Sequence, residues 1–233
     1  KAAETSGQYG TEPEKRSVSE ILDYGIVNID KPKGPTSHQV SDYVKKMLGQ
    51  KKAGHSGTLD PGVTGALPVA LGNATRINQL LLTAGKEYIG VMHIHKEIDE
   101  NQLKKIVKEF TGTISQLPPV RSSVKRQVRQ RKVYYFELLE IEEKDALFRV
   151  GCEAGTYIRK LISDLGKKLG TGAHMAELRR TKAGPFNEST LVTLQELADA
   201  YHYWKEEQKE KLIRQAIQPV ENAVAHLPKI WVA

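Results

Sequence analysis

Apolar and polar residues alternate along parts of the chain with the two-residue period of β-strands. The segment EYIGVMHIH, from Glu87, alternates in this way, and GIVNID, from Gly25, is also strand-like. Two further runs, VYYFELLEI from Val133 and ALFRVGCEA from Ala146, are separated only by EEKD. Because a short polar connection between two such runs is typical of a tight turn, they predict a β-hairpin.

Helix-starting residues precede several other apolar segments. A Ser, Thr, Asp or Asn at a helix start accepts a hydrogen bond from the backbone, and a Glu or Gln three residues later strengthens the pattern. The pattern predicts four helices. The first is capped by Thr36 or Ser37 and ends near Leu48, and the second is capped by Asn73 and ends near Gly85. The third begins at Asp99 with Gln102 and carries Leu103, Ile106, Val107 and Phe110 on one face, and the fourth begins at Thr193 with Glu196 and ends near Trp204.

A further helix is predicted over residues 156–169. Its apolar residues recur at helical spacing on one face, and its charged residues stack on another: Ile158, Leu161, Ile162, Leu165 and Leu169 on the first, Lys160, Asp164 and Lys168 on the second. Arg159 belongs to neither face and lies about 100° round from Ile158. Its side chain can reach into a neighbouring cleft or extend over the surface into solvent. This mixture of strands and helices predicts a mixed α/β (α+β) fold.

Length and composition fit one enzyme-sized domain. With 233 residues, of which 39% are hydrophobic, the chain can bury a full core. Its one cysteine, Cys152, excludes an internal disulfide framework, and its longest apolar runs are too short to span a bilayer. Residues 1–20, rich in Gly, Ser, Glu and Lys, predict a flexible arm ahead of a domain over residues 21–233. No signal peptide is evident.

The positive charge is concentrated in one segment. The formal net charge is +7, and residues 121–132, RSSVKRQVRQRK, hold six basic residues and no acidic one. Such a run is typical either of a solvated loop or edge strand, or of a segment that neutralises the phosphates of a nucleic acid. The sequence therefore predicts a basic loop at about residues 121–132, with a polyanion as one possible partner.

One acidic residue follows a glycine-rich turn in the segment GHSGTLDP, residues 54–61. Gly54 and Gly57 permit a close backbone approach or a positive φ, and Pro61 biases Asp60 toward an extended conformation. Taken singly, each feature is also found in an ordinary glycine-rich connection. Together they indicate a loop that can hold the Asp60 carboxylate against a substrate.

The longer string GHSGTLDPGVTGALPVALG resembles the catalytic motif of the TruB-type pseudouridine synthases. Four more segments resemble motifs of that family, in the family's order: KPKGPTSH from Lys31, KEYIG from Lys86, GTYIRKLISDLG from Gly155 and GAHMAELRRT from Gly172. ENAVAHLPKIWV, near the end, is most similar to the archaeal and dyskerin branch of box H/ACA guide ribonucleoproteins. The resemblance implies a pseudouridine synthase fold, with a central, largely antiparallel mixed sheet flanked by helices and a catalytic cleft.

The resemblance also implies a set of catalytic residues. Asp60 acts either as a covalent nucleophile or by assisting a glycal-type intermediate. Arg159 forms an ion pair with Asp60, in bidentate geometry, and orients its carboxylate. Tyr88 stacks on the flipped uracil, and Leu178 forms the apolar floor beneath the base. For Tyr88 and Leu178 the alternative is ordinary core packing, and for Arg159 it is an exposed surface position.

Other residues are implied to bind substrate. His55 assists base flipping, Lys31 braces the tyrosine and the motif loop, and Tyr157 supports the pocket. Their alternatives are a structural histidine, an exposed turn lysine and a core tyrosine. The basic residues implied to grip RNA are Arg121, Lys125, Arg126 and Arg129. No metal or other cofactor is expected, since His93 and His95 lack a third ligand in the sequence and Cys152 lacks an obvious base.

The expected activity is that of an RNA pseudouridine synthase. In the favoured interpretation a box H/ACA guide RNA directs it to a uridine of rRNA, and its partners are a zinc-ribbon-like small protein, a kink-turn-binding protein and a glycine/arginine-rich accessory protein. The alternatives are a stand-alone tRNA pseudouridine synthase of the TruB type and a non-catalytic RNA-binding scaffold. We expect no PUA domain in this chain, no membrane partner, and a cytoplasmic location if the source is archaeal or a nucleolar one if it is eukaryotic.

Overall fold

The computed structural model describes residues 12–118 and 126–228. Within these ranges ten strands form one sheet: β1 (Gly25–Lys31), β2 (Ala53–His55), β3 (Thr64–Leu71), β4 (Lys86–Ile94), β5 (Gly112–Gln116), β6 (Arg129–Glu142), β7 (Asp145–Cys152), β8 (Ala173–Ala183), β9 (Phe186–Asn187) and β10 (Gln218–Pro219). The α-helices in the same ranges are α1 (Val18–Tyr24), α2 (Ser37–Met47), α3 (Asn78–Thr83), α4 (Glu100–Glu109), α5 (Ile158–Leu169), α6 (Leu194–Glu207) and α7 (Lys211–Ala216).

The sheet is mixed and largely antiparallel, as predicted. Its strands follow the order β10-β1-β3-β8-β4-β7-β6-β5, with β2 paired to β3 and β9 paired to β8. The pair β3–β8 is parallel and aligns Thr64 with Arg179 and Gly65 with Arg180. The other strand pairs of the described residues are antiparallel. The parallel pair brings the chain that leaves the GHSGTLDP segment beside β8.

Most of the predicted elements are confirmed. GIVNID lies in β1, EYIGVMHIH lies largely in β4, and the predicted hairpin is β6 and β7, which turn at Glu143 with φ 51°. Helices α2, α4 and α6 begin at the predicted caps, whose side chains accept hydrogen bonds from backbone N–H groups three residues on: Thr36 from Gln39, Asp99 from Gln102 and Thr193 from Glu196.

Asn73 does not cap a helix, so this prediction is wrong. It lies inside a 3₁₀ turn, Gly72–Ile77, that precedes α3. Its backbone N–H and its side-chain amide both donate to the Asp23 carboxylate, at 3.1 and 2.7 Å. Because these groups bind the end of α1, the Asn73 side chain is directed to a neighbouring element and not to the backbone that follows it.

Two predicted boundaries also need correction. The expected flexible arm over residues 1–20 is wrong at its end, because Val18 begins α1 and is buried, with Ser17 and Glu20 forming a capping box. The expected basic loop over residues 121–132 is wrong from Arg129 onward, because residues 129–132 pair with β5 as the first part of β6. Strand pairing extends β6 into the basic segment, whereas a local capping box and the burial of Val18 fix the start of α1.

The largest core cluster lies between the centre of the sheet and helices α4 and α5. Phe136 of β6 and Phe148 of β7 meet edge to face there, with ring centroids 5.5 Å apart. Leu59 and Val63, which precede β3, and Tyr88 and Leu178 belong to the same cluster. The GHSGTLDP segment is therefore anchored on the main core by the apolar residues on either side of Asp60.

Cys152 lies buried at the end of β7 as a free thiol, and burial raises its pKa to about 11. Such a thiol is protonated at neutral pH and is a poor nucleophile.

Among the helices of residues 12–118 and 126–228, none is both long and apolar enough to cross a membrane.

Candidate active site

The motif loop, defined here as residues 56–63, connects β2 to β3. The two strands pair antiparallel, with His55 opposite Val69. Gly57 adopts φ +104° and Gly65, just beyond the loop, φ +99°. A Cβ atom at Gly65 would lie 2.2 Å from the carbonyl oxygen of Arg180. Glycine is thus required at Gly65 both for the backbone conformation and for the close approach of β3 to β8.

Ser37, the first residue of α2, and Gly34, ahead of α2, hold the motif loop from one side. The Ser37 hydroxyl accepts a hydrogen bond from the Leu59 N–H at 2.8 Å and donates to the Leu59 carbonyl at 3.1 Å. The Gly34 N–H donates to the Pro61 carbonyl at 2.9 Å. Ser37 is fully buried. Both backbone groups of the residue before Asp60 are therefore fixed by one side chain.

Lys31 supports the motif loop from below. Its side chain is fully buried, so the alternative of an exposed turn lysine is wrong. Nζ donates to the carbonyl oxygens of Pro32, Pro61 and Val63 at 2.9, 3.3 and 2.9 Å. Burial lowers the Lys31 pKa, and the negative charge of Asp60 opposes this shift. The contacts agree with the expected bracing of the loop.

Asp60 and Arg159 meet at the exposed end of the motif loop. Arg159 Nη2 donates to Asp60 Oδ2 at 2.6 Å, and both side chains are more than half exposed. The predicted ion pair is present, but the expected bidentate geometry is wrong, because a single hydrogen bond joins the two groups. The exposure of both side chains leaves the carboxylate accessible from outside the loop.

Helix α5 places Arg159 in its first turn, two residues after its N-cap residue Tyr157. The side-chain amide of Gln116, at the end of β5, accepts from the Tyr157 N–H at 3.0 Å and donates to the Tyr157 carbonyl at 3.2 Å. Gln116 is itself buried. Since one amide holds both backbone groups of Tyr157, the start of α5 and hence Arg159 are fixed relative to the sheet.

Tyr88 and Leu178 lie on adjacent strands and share a core cluster with Leu59 and Val63 of the motif loop. Tyr88 of β4 is opposite Arg180 of β8, and Gly90 is opposite Leu178, so these side chains share one face of the sheet. Tyr88 and Leu178 are each 9% exposed. Burial raises the Tyr88 pKa, the charge of Arg180 lowers it, and the charge of Asp60 raises it. Tyr88 is thus within electrostatic reach of the Asp60 carboxylate.

Arg180 lies in the same buried layer. Its side chain is 1% exposed, Nε donates to the Ala66 carbonyl at 2.7 Å, and Nη2 donates to the Gly57 carbonyl at 3.2 Å. It therefore joins β8 to β3 and to the motif loop. The motif GAHMAELRRT contains this residue, but the sequence reasoning used only Leu178 from it.

His55 ends β2, directly before the motif loop, and is partly buried. Burial lowers its pKa, and the nearby charge of Arg180 acts in the same direction. The imidazole is thus biased toward its neutral form, which can donate and accept hydrogen bonds but adds no charge.

The basic segment is partly described. Arg121 and Lys125 lie outside the described residues, Arg126 is exposed, and Arg129 begins β6. In the β5–β6 ladder Arg129 is opposite Gln116, the residue that holds Tyr157. The basic start of β6 therefore lies next to Gln116. Through Gln116 it is linked to Tyr157, which lies two residues before Arg159.

The histidines of β4 lie away from this site. His93 and His95 pack with His174 of β8, and His93 pairs with Asp145 at 2.7 Å. In the part of the chain that the structure describes, no three His, Cys, Asp or Glu side chains are arranged to hold a metal ion.

Three buried polar residues of the site were not predicted from sequence: Ser37, Gln116 and Arg180. Ser37 was considered only as a helix cap. Polar residues within otherwise buried segments were the available indication, since such side chains require hydrogen-bond partners. The partners themselves are distant in sequence and could not be identified from it.

Three sequence profiles match the chain. The profile of the TruB family pseudouridylate synthase N-terminal domain matches residues 45–158, and that of the tRNA pseudouridylate synthase B C-terminal domain matches residues 159–225. The DKCLD (NUC011) domain profile matches residues 1–41.

Curated relatives cover almost the whole chain. Proteins named "Probable tRNA pseudouridine synthase B" from Pyrococcus abyssi and Thermococcus onnurineus are 58% and 59% identical to it over 231 residues, which are 99% of this chain and 69% of each relative. The protein of the same name from Methanopyrus kandleri is 56% identical over 227 residues, 97% of this chain and 67% of the relative.

Solved structures resemble the chain equally closely. The "Crystal Structure of a Cbf5-Nop10-Gar1 Complex" contains a chain with 57% identity and a TM-score of 0.96, matched over 99% of this chain and 70% of that one. The "Structure of H/ACA RNP bound to a substrate RNA containing 2'-deoxyuridine" gives 54% identity and a TM-score of 0.92, over 99% and 70% of the two chains.

Proposed function

The chain belongs to the TruB family of pseudouridine synthases, and we propose that it isomerises a uridine of RNA to pseudouridine under the direction of a box H/ACA guide RNA. The observation that carries this proposal is the Asp60–Arg159 ion pair on the motif loop. An accessible carboxylate lies there, and the residues on either side of it in the motif loop pack into the core cluster that contains Tyr88 and Leu178. The site thus combines an accessible carboxylate with a buried apolar layer suited to a base.

The chemistry requires few groups. The bond between uracil N1 and ribose C1′ breaks, the base rotates, and C1′ joins carbon 5. Asp60 attacks C1′ as a nucleophile or assists formation of a glycal-type intermediate. Arg159 holds the carboxylate in place, Tyr88 stacks on the uracil, and Leu178 lies beneath the base. The residues named need no redox step for this isomerisation, because substrate and product have the same composition.

The surrounding residues prepare and hold the substrate. His55, at the mouth of the motif loop, assists the nucleotide in leaving its stack, which costs a few kcal/mol. Lys31 and Tyr157 keep the loop and the start of α5 in position. Arg121, Lys125, Arg126 and Arg129 bind RNA phosphates.

Partners follow from the solved relatives. Those structures are titled as complexes with Nop10, with Gar1 and with a substrate RNA. We expect this chain to bind the corresponding small zinc-ribbon-like and glycine/arginine-rich proteins, a guide RNA and, through that RNA, a kink-turn-binding protein. Such a particle works in the cytoplasm of an archaeal cell or in the nucleolus of a eukaryotic one.

A second candidate is a stand-alone tRNA pseudouridine synthase. It is favoured by the name of the curated relatives, which are called tRNA pseudouridine synthase B. The chemistry is the same in both candidates, and only substrate selection differs. Pseudouridine formation in tRNA without any guide supports this candidate, whereas strict dependence on a guide supports the guided one.

The catalytic proposal is tested with Asp60→Asn. The variant keeps the size of the side chain but removes the negative charge, so we expect RNA binding near that of wild type and no pseudouridine in a single-turnover assay. Asp164→Asn is the matched control, because Asp164 lies on α5 and pairs with Lys160, away from the motif loop. Pseudouridine formed by purified Asp60→Asn would contradict the role of Asp60. The non-catalytic scaffold instead predicts no pseudouridine from wild type either.

A further inference from the structure

Arg180 is a buried cation without a carboxylate partner among the residues that the structure describes. The guanidinium is enclosed by β3, β4 and the motif loop, and its contacts are backbone carbonyls and a tyrosine hydroxyl. Burying a charge without an opposite charge is costly, and such positions are concentrated at functional sites. The position of Arg180 therefore calls for a functional explanation.

The contacts of Arg180 join three parts of the candidate site. Ala66 lies on β3 and Gly57 in the motif loop, and both accept hydrogen bonds from the guanidinium, at 2.7 and 3.2 Å. The third partner is Tyr88, which is opposite Arg180 in the β4–β8 register and shares a side-chain hydrogen bond with it. The guanidinium donates this bond, so the Tyr88 oxygen is the acceptor.

The electrostatic effect of Arg180 distinguishes Tyr88 from its neighbours. The charge of Arg180 lowers the pKa of Lys31, His55 and Lys86, and so disfavours a second positive charge in this layer. For Tyr88, burial is the largest effect and raises the pKa overall, and the charge of Arg180 opposes this shift by favouring the ionised phenolate. Of these side chains, Tyr88 is the one whose ionised form is negatively charged, and it is the one that the guanidinium contacts directly.

We propose that Arg180 is a positioning residue that orients the Tyr88 hydroxyl, so that Tyr88 removes the proton from carbon 5 in the last step of the reaction. This inference rests on the proposed function. Arg180 does not contact the substrate in this scheme and acts through Tyr88 and the motif loop.

The step balances in atoms and charge. Once carbon 5 has bonded to ribose C1′, it carries both the sugar and its original hydrogen, and the ring holds a C6=N1 double bond. The Tyr88 phenolate takes the proton, the C5–H electron pair forms the C5=C6 double bond, and the C6=N1 pair moves to N1. N1 takes a proton from water, and Tyr88 later returns its own proton to solvent.

The test compares wild type with Arg180→Met on two RNAs that carry uridine or 5-deuterouridine at the target position. Single-turnover rates are measured with guide RNA and partner proteins across a pH series. Loss of the cation makes the phenolate harder to form, so we expect the rate near neutral pH to fall roughly tenfold to a hundredfold. The deuterium isotope effect should exceed that of wild type, and the rise of the rate with pH should move to higher pH.

Arg179→Met is the matched control. Arg179 is the adjacent residue of β8 but pairs with Asp30 and Glu188, outside the Tyr88 layer. We expect it to leave the isotope effect and the pH profile unchanged. If Arg180→Met does not fold, Arg180→Lys replaces it in the test. Lysine keeps the charge but lacks the planar set of donors. The larger isotope effect and the shift of the pH profile should then both appear, but be smaller than expected for Arg180→Met.

A structural role alone predicts a different result. If Arg180 only holds the motif loop, its variants lose rate with the isotope effect and pH profile of wild type, and the inference is overturned. Failure of the proposed function is distinguishable, since wild-type protein would then form no pseudouridine in either RNA.

Discussion

At the scale of single residues, the site depends on buried polar side chains that hold backbone groups. Ser37, Gln116 and Lys31 each bind two or more backbone groups of the motif loop or of the start of α5. Burying these side chains costs rotamer entropy, and their hydrogen bonds to backbone groups offset that cost. They fix the Asp60 carboxylate without occupying its exposed face.

Ser37→Ala tests this support. The substitution leaves the N–H and the carbonyl of Leu59 without their buried partner, which costs about 1–3 kcal/mol in the free energy of unfolding. Because Leu59 precedes Asp60, we expect the single-turnover rate to fall by more than the loss of folded protein explains. Denaturant unfolding and a pseudouridine assay on the same preparations measure both effects.

Ser41→Ala provides the control for that variant. Ser41 lies one turn further along α2, is also buried, and donates to the Ser37 carbonyl at 3.0 Å. It does not contact the motif loop, so it should lose stability with a normal rate. Equal loss of rate in the two variants would show that helix α2, and not the Leu59 contact, is what the site requires.

At the scale of elements, one side chain joins the end of α3 to the start of β4. Lys86 Nζ donates to the carbonyls of Leu81, Leu82 and Ala84 at 3.0, 3.0 and 2.6 Å. These are carbonyls at a helix C-terminus, where a positive charge is favourable. Burial nevertheless lowers the Lys86 pKa to about 8 from 10.5.

This pKa predicts a specific dependence of stability on pH. Between pH 8 and 10.5 the unfolded chain keeps the Lys86 proton and the folded chain releases it, so the Lys86 contribution to the free energy of unfolding rises with pH. The stability of wild type relative to Lys86→Met should therefore increase across this range, by up to about 3 kcal/mol. Urea unfolding of both proteins at several pH values measures the difference.

A relative stability that stays constant from pH 8 to 10.5 would contradict the lowered pKa. Lys182→Met is a suitable control, because Lys182 lies on β8 with its side chain exposed and shows no comparable set of carbonyl contacts among the described residues. Its relative stability should not change over the same range.

At the scale of the whole molecule, the net charge of +7 acts through its distribution. The basic segment meets the sheet edge near the start of α5, where Arg129 faces Gln116 in the ladder. Phosphate contacts there would hold an RNA strand beside Asp60 without reading its sequence. Binding and chemistry should therefore be separable by mutation.

Replacing Lys125, Arg126 and Arg129 with alanine tests this separation. Loss of two or three phosphate contacts should reduce the salt dependence of RNA affinity by roughly two units of slope, evenly over RNA sequences. The rate at saturating RNA should change less than the affinity. Titrations at several ionic strengths, with and without guide RNA, measure the slope.

The matched control removes the same charge from another surface. Lys104, Lys105 and Lys108 are exposed on α4, and their replacement by alanine should leave the slope near that of wild type. If wild type and the triple variant of Lys125, Arg126 and Arg129 show the same salt dependence of RNA affinity, the basic segment faces solvent or a protein partner.

The sequence by itself determined the elements and the main chemical groups of this protein. Hydrophobic periodicity and helix caps located β1, β4, the β6–β7 hairpin, α2, α4, α5 and α6, because these features depend on residues close together in the chain. They did not predict the role of Asn73 or the strand at Arg129, since both depend on partners in other elements. The glycine-rich turn pointed to Asp60, whereas the roles of Tyr88 and Arg159 were implied by resemblance alone.

Apart from the Asp60–Arg159 pair, which the resemblance implied, only the tertiary structure decided which groups meet. Arg159 contacts Asp60 across 99 residues of sequence, Arg180 contacts Gly57 across 123, and Ser37 contacts Leu59 across 22. Such contacts follow from the order and register of strands, above all from the parallel pairing of β3 with β8. Local patterns carry no information on that register, because every strand pairing that buries the same apolar face satisfies them equally.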